Sequence, residues 1–263
     1  MGNKITKNLT FMRHGNIFEK GHSYEKMKYP EFMDNLTGKI NEQLQELPDS
    51  TGESFFYKIL SWFGLGEQLT PLEKELKQYQ IESKSLPQKV DIIYTSKSIR
   101  TRHTAKLIQK YYANKPNVNK PKIIDTQKMN LAEVKFSENL LSEEEFNERG
   151  GFKGCRSVIL ERWFDGTNKE NIIDSLNRLK RLLNYVLKTP DENILFITHA
   201  WYMRIVYMYL NGKPFELENL LQAPIPKYGQ MYEYTLQLNG ESRVVNTLSE
   251  LEPITLDLEV GKN

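Results

Sequence analysis

Short apolar runs rich in β-branched and aromatic residues recur along the chain, separated by longer runs of helical period. "LTFM" at 9–12, "VDIIYT" at 90–95, "KIID" at 122–125 and "ILFIT" at 194–198 predict strands. "QMYEYTLQL" at 230–238 alternates and predicts an edge or antiparallel strand. Residues 70–80 predict a helix with Thr70 as N-cap and Pro71 in its first position. Residues 98–112 predict a second, with Ile99, Ala105, Leu107, Ile108 and Tyr112 at roughly helical spacing. The strongest periodicity lies at 171–188, where Ile172, Leu176, Leu179, Leu183 and Leu187 recur at threes and fours. "WYMRIVYMYL" at 201–210 is mostly apolar and predicts a buried helix. Strands alternating with helices imply an α/β chain with a largely parallel sheet covered on both faces. In such sheets ligands bind beyond the carboxyl ends of the strands.

Two stretches depart from this alternation, within a single domain taken as 1–263. Residues 19–69 have no clear central strand and contain the aromatic, amphipathic "FFYKILSWFGLG" at 55–66. Packing of that stretch on the core is the ordinary expectation for an apolar stripe; a lid or a membrane-surface contact are the other readings. Residues 134–168 are polar and glycine-punctuated ("NERGGFKGCRS") and read as a second lid-like insertion.

Composition narrows the function classes. Thirty-six basic against 34 acidic side chains give a net charge of +2, without the basic excess of a dedicated nucleic-acid binder. The lone cysteine, Cys155, allows no internal disulfide and reads as a packing residue. No run approaches the apolar length of a membrane span, and the first residues lack a secretory apolar region, so the expected location is cytoplasmic. Gly2 and Thr6 fit the loose myristoylation pattern, which matters only in a eukaryotic host.

The strand-to-helix junctions carry the candidate chemistry. The first strand ends in Arg13-His14-Gly15, with Asn16 next. The second ends in Thr95-Ser96, with Arg100 in the first turn of the following helix. Glu133 follows the third, and the fourth ends in Thr198-His199-Ala200. Guanidinium groups offer a phosphate dianion a planar fork of donors at any working pH. An imidazole among arginines is held neutral by like charge and is then nucleophilic toward phosphorus. A second histidine can donate to the transferring group, and a carboxyl can protonate a leaving alcohol and then deprotonate water. Gly15 lets the backbone turn and approach an anion. Taken singly, Arg100 reads as a solvated helix charge, Glu133 as a surface acid and His199 as a satisfied core histidine. Their joint placement at strand ends favours the functional reading. The other histidines are His22 and His103, the latter expected to face solvent. Without His-x-x-x-His, Cys-x-x-Cys or a dense aspartate cluster, a catalytic metal is not expected.

These segments resemble the histidine phosphatase superfamily, the phosphoglycerate-mutase-like proteins. "FMRHGN" matches the family's strand-ending Arg-His-Gly. "YTSKSIRTRHTAKLI" is similar to its S-x-x-x-R-A-x-x-T-A segment, with Ser96, Arg100, Thr104 and Ala105 in register. "NLAEV" resembles its L-x-E, and "ILFITHAWYMRIV" its second-histidine strand. The resemblance covers 8 to about 210. It implies a three-layer α/β/α sandwich with a mostly parallel central sheet. It also implies His14 as the phosphorylated nucleophile, Arg13, Arg100 and His199 as phosphoryl ligands, Glu133 as proton donor, and no metal or other cofactor. Asn16 can contact substrate. Departures lie around this set: "NIFEK" follows Gly15, Glu73 and Ala200 stand where the family has glycine, and Thr101 replaces an alanine. The expected activity is metal-independent hydrolysis of a phosphomonoester, on a phosphorylated small molecule or a phosphoprotein. A phosphomutase on the same scaffold and a non-catalytic binding protein that keeps the fold are the alternatives.

Overall fold

In a computed structural model, the chain is described over residues 5–16, 27–37, 70–125, 131–239, 242–247 and 254–255. The stretch 55–66, His22 and Gly2 lie outside these residues. The elements, in chain order, are β1 (Ile5–Arg13), α1 (Tyr29–Thr37), α2 (Pro71–Gln78), β2 (Ile92–Thr95), α3 (Ile99–Ala113), β3 (Lys122–Asp125), α4 (Glu143–Glu148), α5 (Phe152–Phe164), α6 (Ile172–Val186), β4 (Asn193–Thr198), α7 (Ala200–Leu210), α8 (Leu217–Gln222), β5 (Met231–Asn239), β6 (Ser242–Thr247) and β7 (Ile254–Thr255).

The strands form one sheet of order β3-β2-β4-β1-β5-β6-β7. The first four in that order run parallel; β5, β6 and β7 follow antiparallel. The fold is the expected α/β sandwich, with its parallel half built as predicted. The alternating 230–238 stretch is antiparallel but not an edge, because β6 continues the sheet beyond it.

Period-two alternation sends side chains to two cores. Leu9, Phe11, Tyr94, Ile194 and Phe196 face one layer, with α5, α6 and α7. Met12, Ile93, Leu195 and Ile197 face the other, against Leu76 of α2 and Ala105, Ile108 and Tyr112 of α3. Thr70 caps α2 in a full capping box with Glu73, which explains the acid where the family has glycine: its carboxylate accepts the Thr70 backbone N–H at 2.9 Å. Asn171 and Asp174 form the same device on α6.

Residues 134–168 are less polar in structure than in sequence. Cys155, Ile159 and Trp163 fall four apart on α5 and are fully buried with Leu160 and Phe136 in the larger core. Glu145 of α4 takes a bidentate pair of bonds from Arg162 of α5, at 2.8 and 3.0 Å. Phe32 of α1 packs on Phe146 and Phe152, 5.0 and 5.5 Å between ring centroids. Cys155 is the packing residue expected, its thiol pushed up by burial. No helix among the described residues is long and apolar enough to cross a membrane.

Candidate active site

Register places the two histidines together. Arg13 lies opposite Thr198 in the parallel β1–β4 ladder, so the next residue of each strand leaves the sheet edge beside the other. The His14 N–H donates to the Thr198 carbonyl at 3.0 Å. The two rings meet edge-on, 5.2 Å apart at 65°. Both are 2% exposed.

His14 Nδ1 is 2.8 Å from the Gly15 carbonyl. A carbonyl only accepts, so a neutral ring carries its proton on Nδ1 and keeps the lone pair on Nε2. Burial, then Arg100, His199 and Arg13, hold this imidazole well below its ordinary 6.5; the Gly15 carbonyl opposes them. Gly15 is required sterically: a Cβ there would lie 2.9 Å from the Tyr79 carbonyl and 3.0 Å from Ile81 Cδ1. Its N–H donates to Thr104 Oγ1 at 2.9 Å, and that hydroxyl donates on to the Arg100 carbonyl at 2.8 Å. One threonine thus couples the histidine turn to the arginine helix.

The arginines are buried too, Arg13 at 7% and Arg100 at 3% exposed. Arg13 Nη1 donates to the Pro226 carbonyl at 2.8 Å, and the guanidinium lies 3.8 Å over the Tyr228 ring. Gly229, at φ +70°, lets this turn close: a Cβ there would meet the Gln80 carbonyl at 2.3 Å.

His199 is the N-cap of α7. Its Nε2 is 3.0 Å from Ser96 Oγ, and its Nδ1 has no partner among the described residues. Thr101 Oγ1 is 2.8 Å from the same Ser96 oxygen and also reaches the Ser96 and Ser98 carbonyls, at 3.0 and 2.9 Å. The threonine that replaces the family's alanine therefore braces Ser96. Burial first, then Arg100, Arg13 and Arg178, hold His199 well below 6.5.

Glu133 reaches the N-terminus of the same helix. Its carboxylate accepts the N–H groups of Tyr202 (3.1 Å), Trp201 (3.4 Å) and Val134 (3.1 Å). Burial nevertheless raises this carboxyl above its ordinary value, with those N–H groups and Arg100 pulling the other way. Its loop is clamped by a buried ion pair: Arg178 Nη2 and Glu170 Oε1 are 2.6 Å apart. Arg178 Nη1 donates to the Ala132 carbonyl at 3.0 Å, and Glu170 Oε2 accepts the Lys135 N–H at 3.0 Å. The pair thus grips the chain on both sides of Glu133.

Arg13, His14, Arg100 and Glu133 line one cavity of about 130 Å³. Of the expected set, His199 stands against His14 rather than in this lining. Asn16 is half-buried, bonded through its backbone N–H to the Tyr79 carbonyl at 2.9 Å, and also absent from the lining. His103 does not face solvent as expected: it is half-buried, 4.9 Å from the Tyr79 ring. Sequence reasoning gave no role to Ser96, Tyr228, Arg178 or Glu170. Ser96 had a signal in its motif; the others reach the site only through tertiary contacts. Among the described residues, no three His, Cys, Asp or Glu side chains converge as metal ligands.

Residues 72–241 match the model of the histidine phosphatase superfamily, branch 1. The chain belongs to that superfamily. The match begins beyond β1; the structure sets β1 and its Arg-His-Gly between β4 and β5. The fold is similar to Bacillus stearothermophilus YhfR, with 14% identity, a TM-score of 0.44, and 94% of this chain and 98% of that one covered. It is similar to the alpha-ribazole phosphatase from Shigella flexneri, with 16% identity, a TM-score of 0.43, and 97% and 99% covered. It is also similar to a phosphoglycerate mutase from Bacillus anthracis, with 15% identity, a TM-score of 0.43, and 93% of each chain covered. No curated protein matches the sequence.

Proposed function

We propose that the protein is a metal-independent phosphatase that hydrolyses phosphomonoesters through a phosphohistidine at His14. The observation that carries this reading is the His14 ring itself. It lines one cavity together with Arg13 and Arg100, with its proton committed to the Gly15 carbonyl. Nε2 attacks phosphorus as the ester P–O bond breaks, and the leaving oxygen takes the proton of Glu133. Water then attacks the phosphoryl group, Glu133 recovers a proton from it, and the P–N bond breaks. Arg13 and Arg100 neutralise the equatorial oxygens throughout. The Ser96 hydroxyl donates to His199 Nε2, which leaves His199 an Nδ1–H to offer the same oxygens. A raised Glu133 keeps its proton for the first step.

Release of phosphate from p-nitrophenyl phosphate in EDTA, with an acid-labile phosphoenzyme trapped on rapid quenching, tests the reading. The wild type should show both and His14→Ala neither. Unimpaired turnover by His14→Ala overturns it. Isomerisation of 3-phosphoglycerate with a bisphosphoglycerate primer and no phosphate release would assign the mutase reading instead.

A further inference from the structure

The residues that handle the phosphoryl group form only part of the cavity wall. The rest is largely hydrocarbon: Phe32 and Leu36, one turn apart on α1, Phe152 at the start of α5, Trp201 in the first turn of α7, and Ile225 after α8. These walls are braced from behind. Phe32 packs on Phe146, and Trp201 meets Phe136 and Trp163 edge-on at 5.2 and 6.3 Å. Among the described residues, no Ser, Thr, Tyr, Asn, Gln or Lys side chain lines the cavity. Among the described residues, the one further charged group is Arg204. It is fully buried; its Nη2 donates to the Leu220 and Ala223 carbonyls at 2.6 and 2.7 Å, closing the end of α8, while its Nε and Nη1 have no partner among the described residues.

Resting on the phosphatase reading, we infer that the leaving alcohol is compact and apolar, a single aromatic ring or a short branched alkyl group, and not a polyol. Arg13, His14, Arg100 and Glu133 are engaged with phosphorus chemistry, so among the described residues only the Arg204 guanidinium is left to replace the water bonds of a sugar's several hydroxyls. A buried hydroxyl without a partner costs binding, while an aromatic or aliphatic group gains by leaving water. The volume of about 130 Å³ limits the alcohol's size: it is far below that of a site for a drug-sized ligand.

The test compares kcat/KM for benzyl phosphate and 3-methylbutyl phosphate with that for glycerol 3-phosphate, glucose 6-phosphate and phosphoglycolate. All release an alkoxide from a primary carbon, so differences report recognition more than bond reactivity. The apolar esters should exceed the polyol esters by about tenfold or more, the scale of one or two misplaced groups in an apolar pocket. In Phe152→Ser, at a partly buried position, that ratio should fall several-fold, and likewise in Phe32→Ala where it folds. Equal or better turnover of the polyol esters overturns the inference and leaves the phosphatase reading standing. A preference for phosphoglycolate also overturns it, by assigning Arg204 to a second anion. A ratio unchanged in folded Phe152→Ser removes the wall from recognition and overturns it as well. No turnover of any ester, p-nitrophenyl phosphate included, sinks both readings.

Discussion

The ends of β1 and β4 are built alike and used differently. Each strand delivers a histidine at the same level of the sheet, and burial and nearby arginines hold both rings neutral. The partners differ. His14 gives its Nδ1 to a backbone carbonyl that can only accept, which fixes Nε2 as a lone pair. His199 gives its Nε2 to a serine hydroxyl, which can donate or accept, and caps a helix. Two imidazoles whose basicity is lowered in the same direction thus differ in the atom each one touches. In the proposed reaction the rigid acceptor suits His14 to attack, and the hydroxyl leaves His199 free to donate.

Breaking each histidine in turn gives the largest contrast. His14→Ala should lower kcat/KM by about 10⁴-fold or more, as loss of a nucleophile does. His199→Ala should lower it by about 10²- to 10³-fold, as loss of one charge-stabilising donor does, and should still form the phosphoenzyme. Equal losses in steady-state assays, with no phosphoenzyme in either variant, would erase the distinction.

Glu133→Gln sharpens the comparison from the acid's side. Benzyl phosphate hydrolysis should fall by about 10²-fold or more, and that of p-nitrophenyl phosphate, whose leaving group needs little protonation, by much less. Equal losses on both esters would remove the carboxyl from the proton transfer. Ser96→Ala should cost about tenfold in kcat, the worth of one hydrogen bond, with substrate KM little changed. Full kcat in Ser96→Ala would remove this hydroxyl from setting the His199 tautomer.

The smallest signal lies in stability. Both histidines titrate well below 6.5 in the folded chain and near 6.5 when unfolded. Between those values the unfolded chain binds more protons, so stability falls as pH drops below about 6.5 and the loss stops once the folded rings titrate. The wild-type Tm should therefore fall more steeply from pH 7.5 to 5.5 than that of the His14→Ala/His199→Ala double variant. Parallel curves would contradict the buried, neutral state of both rings.

Much of this was legible because it is periodic or local. Strands β1 to β4, the helices α2, α3, α6 and α7, and the Thr70 cap follow from spacing alone. Residues 152–164 were missed because Gly151, Lys153, Gly154 and Arg156 mask an apolar line at 155, 159 and 163 that needs a neighbouring core to declare itself. His103 was misplaced because its cover, Tyr79, comes from another helix end. Ser96 touches a residue 103 positions away, and the apolar wall draws on α1, α5 and α7. The polar junctions were visible as short motifs; the hydrophobic half of the cavity exists only once distant helices have met.

The place of β1 in the sheet has a consequence for biosynthesis. This strand leaves the ribosome long before either of its neighbours, since β4 begins at Asn193 and β5 at Met231. Closing so long a loop is slow, and until then the hydrophobic segment around Phe11 must wait without its permanent cover. Bringing His14 beside His199 is accordingly a late event in translation, completed when β1 is enclosed between β4 and β5.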